Sequence, residues 1–512
     1  MLGFLSEFSF KFFGANHLRR VRMLKSVRYL PQCALAVVLI LIGQVAVFGQ
    51  DQANTSQPKS TKSTSTKSKK RKKKKTSSTS FIILGSPNQA ASVVEVPATA
   101  TFESPVSQPA APTIRAEKSS GIKISPKGSL PPPGVATAGQ IIISEFRVRG
   151  SGGATDEFIE IYNASGSDHT VSSAGSGYAV AASDGVARCV IPNGTVIPNR
   201  GHYLCANSVG YSLASYPAGN GTTATADATY TTDIPDNAGV AIFNVSNPVD
   251  FILANRLDAV GSTSEANTLY KEGTGYSALS PFSIDYSFVR DLCGKQGSIT
   301  TFGPCTANTP VDTDNNATNF FFVDTNAFSA GAGQRLGAPG PENLSSPIQR
   351  NASVSIDLLD PCAAAAAPPN RVRDFTPGPS ATSQSGTLDI RRTLTNNTGG
   401  NVTRLRFRII DLTTFPNPSG IADLRPLTSP DVAETVDRAP CGSGTSSVTV
   451  RGTTLETPPT QPNGGGFNSS LSSNTVTLAT PLANGATIDV RFLLGIQQTG
   501  SFKIYFNTEL LP

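Results

Sequence analysis

Apolar and polar residues alternate most sharply in three stretches near the end of the chain. Leu405, Phe407 and Ile409 interleave with Arg404, Arg406 and Arg408, and Ile488, Val490, Phe492 and Leu494 recur at every second position, as do Phe502, Ile504 and Phe506. A period of two sends alternate side chains to opposite faces, so each stretch predicts a strand with one face on a core. The Arg-bearing strand reads as half-buried, its cationic face toward water. A related pattern surrounds a glycine-rich turn further up the chain. In Ile141 to Arg149, Ser144, Phe146 and Val148 fall on one face and Ile143, Glu145, Arg147 and Arg149 on the other. Three glycines with Ser, Thr and Asp follow up to Asp156, and Glu157 to Tyr162 resumes the alternation, with Ile159 and Ile161 opposite Phe158, Glu160 and Tyr162. Two such runs around a Gly cluster predict a β-hairpin. Further strands are expected at 185–191, 203–206 and 239–244, separated by turn pairs such as Asn193-Gly194 and Pro198-Asn199.

Composition supports an all-β fold. Only 15% of the 512 residues are charged, and Gly, Ser, Thr, Asn and Pro are abundant. That favours short strands and many turns over helices. The length has room for several domains. Residues 1–49 read as an export signal: Arg19, Arg20, Arg22, Lys25 and Arg28 precede an apolar run from Ala34 to Val47, with an acceptable cleavage site at Val47-Phe48-Gly49. The run falls short of the roughly 20 residues a spanning helix needs. The segment before Met23 is longer than a signal needs, so Met23 is expected to be the true start; a long n-region is the other reading. Residues 50–138 read as a disordered linker rich in Lys, Ser, Thr and Pro. Phe81 to Leu84 is an apolar island within it, compatible with a single strand or with none.

Charge divides the chain. Of 42 basic and 36 acidic residues, 16 basic and two acidic lie at or before Lys75, which leaves 26 basic and 34 acidic, a net of −8, for the remainder. A nucleic-acid-binding core is therefore disfavoured. Lys59 to Lys75 contains ten basic residues and no acidic one, and Lys69, Lys70, Arg71, Lys72, Lys73, Lys74 and Lys75 run unbroken. Two readings stay open: a tether to a phosphate-rich surface (anionic lipid, cell-wall polymer or nucleic acid), and a self-repelling spacer.

Candidate chemistry is sparse. After removal of a signal, six cysteines remain, an even number in an exported chain, which predicts disulfides. Cys189 and Cys205 sit on neighbouring strands and are expected to pair. Cys293 and Cys305 flank a Gly-rich loop, which leaves Cys362 with Cys441. A C-x2-C zinc pattern is absent, as are H-E-x-x-H, G-x-S-x-G and P-loop motifs. The two mature histidines are His169, in a loop-like setting, and His202, at a strand start. His202 lies three residues from Cys205, but cystine formation is the stronger reading for that thiol. Glu145 and Glu160 face each other across the hairpin as a carboxylate pair. Acid–base work is one reading; the preferred one is that they accept hydrogen bonds within the fold. Asp312, Asp314 and Asn316 place oxygens at alternate positions, as calcium loops do, although Ala317 and Val323 replace the Gly and Glu of an EF-hand. Asx turns account for the same run without a metal. Tyr162, Tyr178, Tyr203, Tyr211 and Tyr230 offer either a carbohydrate-stacking surface or strand packing.

Several phrases resemble the lamin-tail domain family in the order that family uses them. Ile143-Ser144-Glu145-Phe146 followed by Asp156-Glu157-Phe158-Ile159-Glu160-Ile161-Tyr162-Asn163 resembles its opening. Leu257-Asp258-Ala259-Val260-Gly261 resembles its V-D-S-V-G strand, Ser287-Phe288-Val289-Arg290 its S-L-E-R segment, and Asp312 to Phe320 its D-T-D-D-N-A-x-D-F run. Arg335 to Asn343 resembles the closing T-P-G-A-P-N. The resemblance spans residues 139–345 and implies an immunoglobulin-like β-sandwich of secreted or surface-attached bacterial proteins, with no activity of its own. A second β-sandwich of no recognised family is expected at 346–512. The sequence thus predicts an exported, non-enzymatic protein for adhesion, binding or display, whose partner is an anionic envelope polymer, a carbohydrate or another surface protein. The alternative is an accessory module of an exported hydrolase or nuclease.

Overall fold

The structure is a computed structural model. It describes residues 80–85 and 135–511, apart from 220–221, 281–282, 293–308, 328–329, 332–334, 348–353, 414–421, 458 and 478. Contacts divide the chain into Met1–Lys72 and Lys73–Pro512. The first unit, and with it the expected signal and most of the basic tract, lies outside the described residues, as does the rest of the expected linker apart from Ser80–Gly85.

The described chain is nearly all β. Its helices are the four-residue Asn316–Asn319 and three short 3-10 turns. No helix among the described residues is long and apolar enough to cross a membrane. Two pairs of sheets each enclose a core. In the N-terminal pair, one sheet runs Ala228–Tyr230, His202–Asn207, Phe158–Asn163, Ile141–Arg147, Tyr286–Arg290, Phe320–Asp324. Its partner runs Arg256–Val260, Val240–Phe243, Gly177–Ala182, Ala187–Pro192. Ile141, Ile143, Phe146, Ile159 and Ile161 from the first interleave with Tyr178, Val180, Ile191, Val240 and Ile242 from the second. Burial of β-branched and aromatic residues between facing sheets is the dominant stabilising term here.

The C-terminal pair repeats the principle. Val354–Leu358, Thr387–Asn396, Thr487–Gln498 and Asp423–Leu427 form one sheet, with Arg371–Asp374 also paired to Thr387–Asn396. Ser80–Gly85, Phe502–Leu511, Arg404–Leu412, Ser470–Ser472 and Thr454–Leu455 form the other. Phe407, Phe492 and Phe506 meet in the middle, with Phe407 edge-on to Phe492 at 4.8 Å and Phe492 stacked on Phe506 at 4.6 Å. The apolar island is a strand, antiparallel to the last one, with Ser80 opposite Asn507 and Gly85 opposite Phe502.

The hairpin Ile141–Arg147 with Phe158–Asn163 forms, but its faces differ from strict alternation. The register shifts between Ile143 and Glu145. This bulge at Ser144 lets Ile143 and Phe146 both face the core, where a regular strand would send them to opposite faces. Ile143 keeps its backbone partners by other means: Asp258 Oδ2 accepts from its N–H at 2.6 Å, and Arg290 Nε donates to its carbonyl at 2.7 Å.

The Arg-bearing strand is also a correction. Leu405, Phe407 and Ile409 enter the core, but Arg406 is fully buried and Arg408 is 7% exposed. Their face meets the N-terminal pair of sheets rather than water. Alternation alone cannot distinguish a solvent face from one covered by a second body.

Candidate functional site

The covered face of the hairpin and the Arg face of Arg404–Leu412 meet in a buried ionic junction. Five carboxyl groups and two guanidiniums lie in it. Arg406 reaches Glu456 through Nε at 2.8 Å, Glu509 through Nη1 at 2.9 Å and Glu342 through Nη1 at 3.2 Å. Arg408 reaches Glu509 through Nε at 3.0 Å and Glu342 through Nη2 at 2.9 Å. Arg408 Nη1 also donates to the Gly340 carbonyl at 3.1 Å and to Asn468 Oδ1 at 2.7 Å. Planar forks of this kind suit guanidinium better than ammonium.

Glu145 and Glu160 are directly opposed across the hairpin. Glu145 accepts from Ser287 Oγ at 2.6 Å, Gly340 N at 2.9 Å and Asn468 Nδ2 at 3.0 Å. Glu160 accepts from Ser144 Oγ and from Glu342 N, both at 2.6 Å. Burial raises the pKa of Glu145. Burial and then the Glu145 and Glu342 charges hold Glu160 well above the usual carboxylate range. Two buried carboxyls set side by side resist joint ionisation.

His202, the first residue of its strand, stands at the edge of this group. Its Nε2 lies 3.4 Å from Glu342 Oε2 and 3.8 Å from Glu160 Oε1. Its Nδ1 is buried without a hydrogen-bond partner. Burial, reinforced by Arg408, pulls its pKa down to about 3, so the ring is neutral. A cavity of about 90 Å³ opens beside it, lined by Ser144, Glu160, His202, Glu342, Arg408 and Glu509 among others. That volume admits several water molecules.

Apolar and backbone contacts frame the junction. Arg335 lies over Phe321 at 4.4 Å and over Phe467 at 4.2 Å, one ring from each pair of sheets. Leu292 packs on Ile410 and Tyr505. Ala338 N donates to the Phe467 carbonyl, and Phe467 N to the Leu336 carbonyl, each at 3.0 Å. Gly466 permits that approach, because a Cβ there would collide with the Leu336 carbonyl oxygen.

The other sequence candidates are dispersed. Asp312, Asp314 and Asn316 do not share one oxygen shell. Asn316 Oδ1 accepts from Gly261 N at 2.9 Å and Glu272 N at 3.0 Å, while its Nδ2 donates to the Ala259 carbonyl at 2.8 Å. Asp314 takes a positive φ of 52° as part of a turn. Asp312 instead joins Asp258 and Glu272, the donor oxygens lying within 4.8 Å of one another. Guanidiniums span that group: Arg290 contacts Asp258 and reaches Asp312 at 3.2 Å, and Arg256 reaches Glu272 at 3.3 Å. Burial and then the Asp258 charge push the Glu272 pKa up to about 9.

His169 is not in a loop. It opens a two-residue strand paired to Val196–Ile197, is buried, and its Nε2 lies 3.1 Å from Tyr178 Oη. Tyr162, Tyr178, Tyr203 and Tyr230 are buried and Tyr211 packs against Phe158, so these rings make no stacking surface. Cys205 is bonded to Cys189, and Cys362 to Cys441. The strands of the first bridge lie in opposite sheets, so it crosses the core rather than joining hydrogen-bonded neighbours. Cys293 and Cys305 lie outside the described residues, as does Lys69 to Lys75.

Sequence reasoning found Glu145, Glu160 and His202 but not what assembles around them. Glu342, Arg406, Arg408, Asn468 and Glu509 come from distant parts of the chain. Three arginines at alternate positions of one strand were the available signal. Compared with protein-family models, curated proteins and solved structures, the chain matches none of them.

Proposed function

We propose that this chain is an exported, non-enzymatic scaffold of a bacterial cell surface. In this reading a lamin-tail-like β-sandwich and a second β-sandwich are displayed behind a basic leader. The observation that carries it is the pair of cystines, Cys189–Cys205 and Cys362–Cys441, in an all-β chain. Cystines of this kind belong to oxidising compartments. The buried junction adds support, since it braces two sandwiches as display requires. The leader's basic tract fits retention at an anionic envelope polymer, and the family resemblance points to the same location.

Expression with the native leader, followed by fractionation and thiol labelling, tests the reading. The expected result is protein in the envelope or the medium, with four labelled-resistant cysteines at 189, 205, 362 and 441. Cytoplasmic protein with those thiols free would overturn it. Deleting residues 59–75 tests the tether: envelope retention is expected to fall, and unchanged retention would assign the tract to a spacer.

A further inference from the structure

We infer that Glu160, His202 and Glu342 form a binding site for a divalent transition cation of the zinc class. A good hydrogen bond from an imidazole N–H to a carboxylate spans about 2.7–3.2 Å. The two separations from His202 Nε2, 3.4 and 3.8 Å, are longer. The shorter matches two ligands of one ion, since with zinc–ligand bonds of about 2.0–2.2 Å tetrahedral neighbours stand about 3.4 Å apart, and the longer exceeds that spacing by a few tenths of an ångström. All three donor atoms fall within 4.8 Å of one another, so a small closure completes the geometry.

Charge points the same way. Glu145, Glu160, Glu342 and Glu509 line the cavity with Arg200, Arg290 and Arg408, and Arg406 lies behind it, bound to Glu342, Glu456 and Glu509. Arg406 and Arg408 each serve several carboxyls, and a buried carboxylate short of counter-charge is costly, a cost that a dication offsets. Both guanidiniums are engaged by Glu509, so their charge is not spent solely on the oxygens facing His202.

The donor set selects the ion. One imidazole nitrogen and two carboxylate oxygens suit zinc and its neighbours, whereas calcium takes oxygen alone. Three protein ligands beside an open cavity leave a position for solvent. The ligands are also held from behind. Glu342 N donates to Glu160 Oε2, the oxygen turned from His202, at 2.6 Å, and Arg408 contacts the other Glu342 oxygen at 2.9 Å. The Asp258, Glu272 and Asp312 group lacks this character, because guanidiniums already reach all three of its carboxylates.

The test uses the full chain, oxidised, stripped with chelator and titrated with zinc chloride by calorimetry. One saturable site is expected, with a rise in Tm. His202→Gln and Glu342→Gln are expected to weaken binding at least tenfold, and His169→Gln to leave it unchanged. Cobalt chloride is expected to give an absorption spectrum of nitrogen and oxygen ligation without a thiolate charge-transfer band. Where a variant does not fold, the unmodified chain still decides: zinc is expected to protect His202 from diethylpyrocarbonate, read by mass spectrometry. Absence of saturable binding, equal affinity in folded His202→Gln, a thiolate band, or unprotected His202 would each overturn the site.

Discussion

Asn468 donates from Nδ2 to Glu145 Oε2 at 3.0 Å across 323 positions of sequence. The first residue belongs to the C-terminal pair of sheets and the second to the hairpin of the N-terminal pair. Asn468 holds a positive φ of 59°, and it also accepts from Arg408. One side chain thus links a carboxyl of one pair to a guanidinium of the other. Glu145 can only play this part because the bulge at Ser144 aligns it with Glu160 on the covered face.

Arg408 is the most exacting member of that junction. Replacing it with Met removes a charge that faces Glu342 and Glu509 and leaves both carboxylates buried. Loss of one partner from such a pair costs about 3–5 kcal/mol. Chemical denaturation of Arg408→Met is expected to show a loss of that order, whereas Arg451→Met, at an exposed ion pair with Asp431, is expected to cost under about 1 kcal/mol.

A second prediction concerns backbone approach. Gly466→Ala places a methyl against the Leu336 carbonyl oxygen and pushes apart the bridge between Gly337 and Phe467. A loss of about 1–3 kcal/mol is expected, with faster amide exchange at Phe467 and Ala338. Gly485→Ala is the contrast for space: its added Cβ meets nothing, although its φ of 79° adds local strain. It is expected to leave exchange at Phe467 unchanged.

Acidic groups in the N-terminal pair set a pH dependence. Burial raises Glu157 to about 7, despite acceptance from Asn207 Nδ2 at 3.0 Å and Ile234 N at 2.6 Å, and Asp233 adds to the rise. Burial raises Asp227 to about 6. A carboxyl whose folded pKa exceeds its unfolded value binds protons more tightly when folded. Its stabilising contribution is complete below the unfolded pKa, near 4.5 for Glu157, and is lost as pH rises to about 7. Glu157→Gln is therefore expected to reduce the stability lost between pH 4.5 and pH 7, measured by denaturation at each pH. An unchanged pH profile would contradict the assignment.

Much of the fold was legible in the sequence, and the reasons are local. Period-two runs at 404–409, 488–494 and 502–506 became strands because each offers one face to a core. The hairpin was legible because a Gly cluster splits two β-branched runs. The junction was not legible, because Arg404, Arg406 and Arg408 have the pattern of a solvent face, and their partners Glu342 and Glu509 carry no local signature. The bulge at Ser144 was hidden for a related reason: one extra residue in a strand changes facing without changing composition. His202 was visible as a residue but not as a neighbour of Glu342, 140 positions away.

The edge of the C-terminal pair supplies another test. Ser80–Gly85 covers the last strand, Phe502–Leu511, along six residues. An uncovered edge invites pairing between chains. Deleting residues 80–85 is expected to increase aggregation on storage, read by light scattering, while deleting residues 59–75 is not.

The buried Arg face makes one body of the two pairs of sheets. Differential scanning calorimetry of the oxidised full chain tests it most directly. The account predicts a single cooperative transition, with calorimetric and van't Hoff enthalpies in agreement, that separates into two when Arg406 and Arg408 are both replaced by Met. Two independent transitions in the unaltered protein, with neither shifted by those replacements, would contradict it.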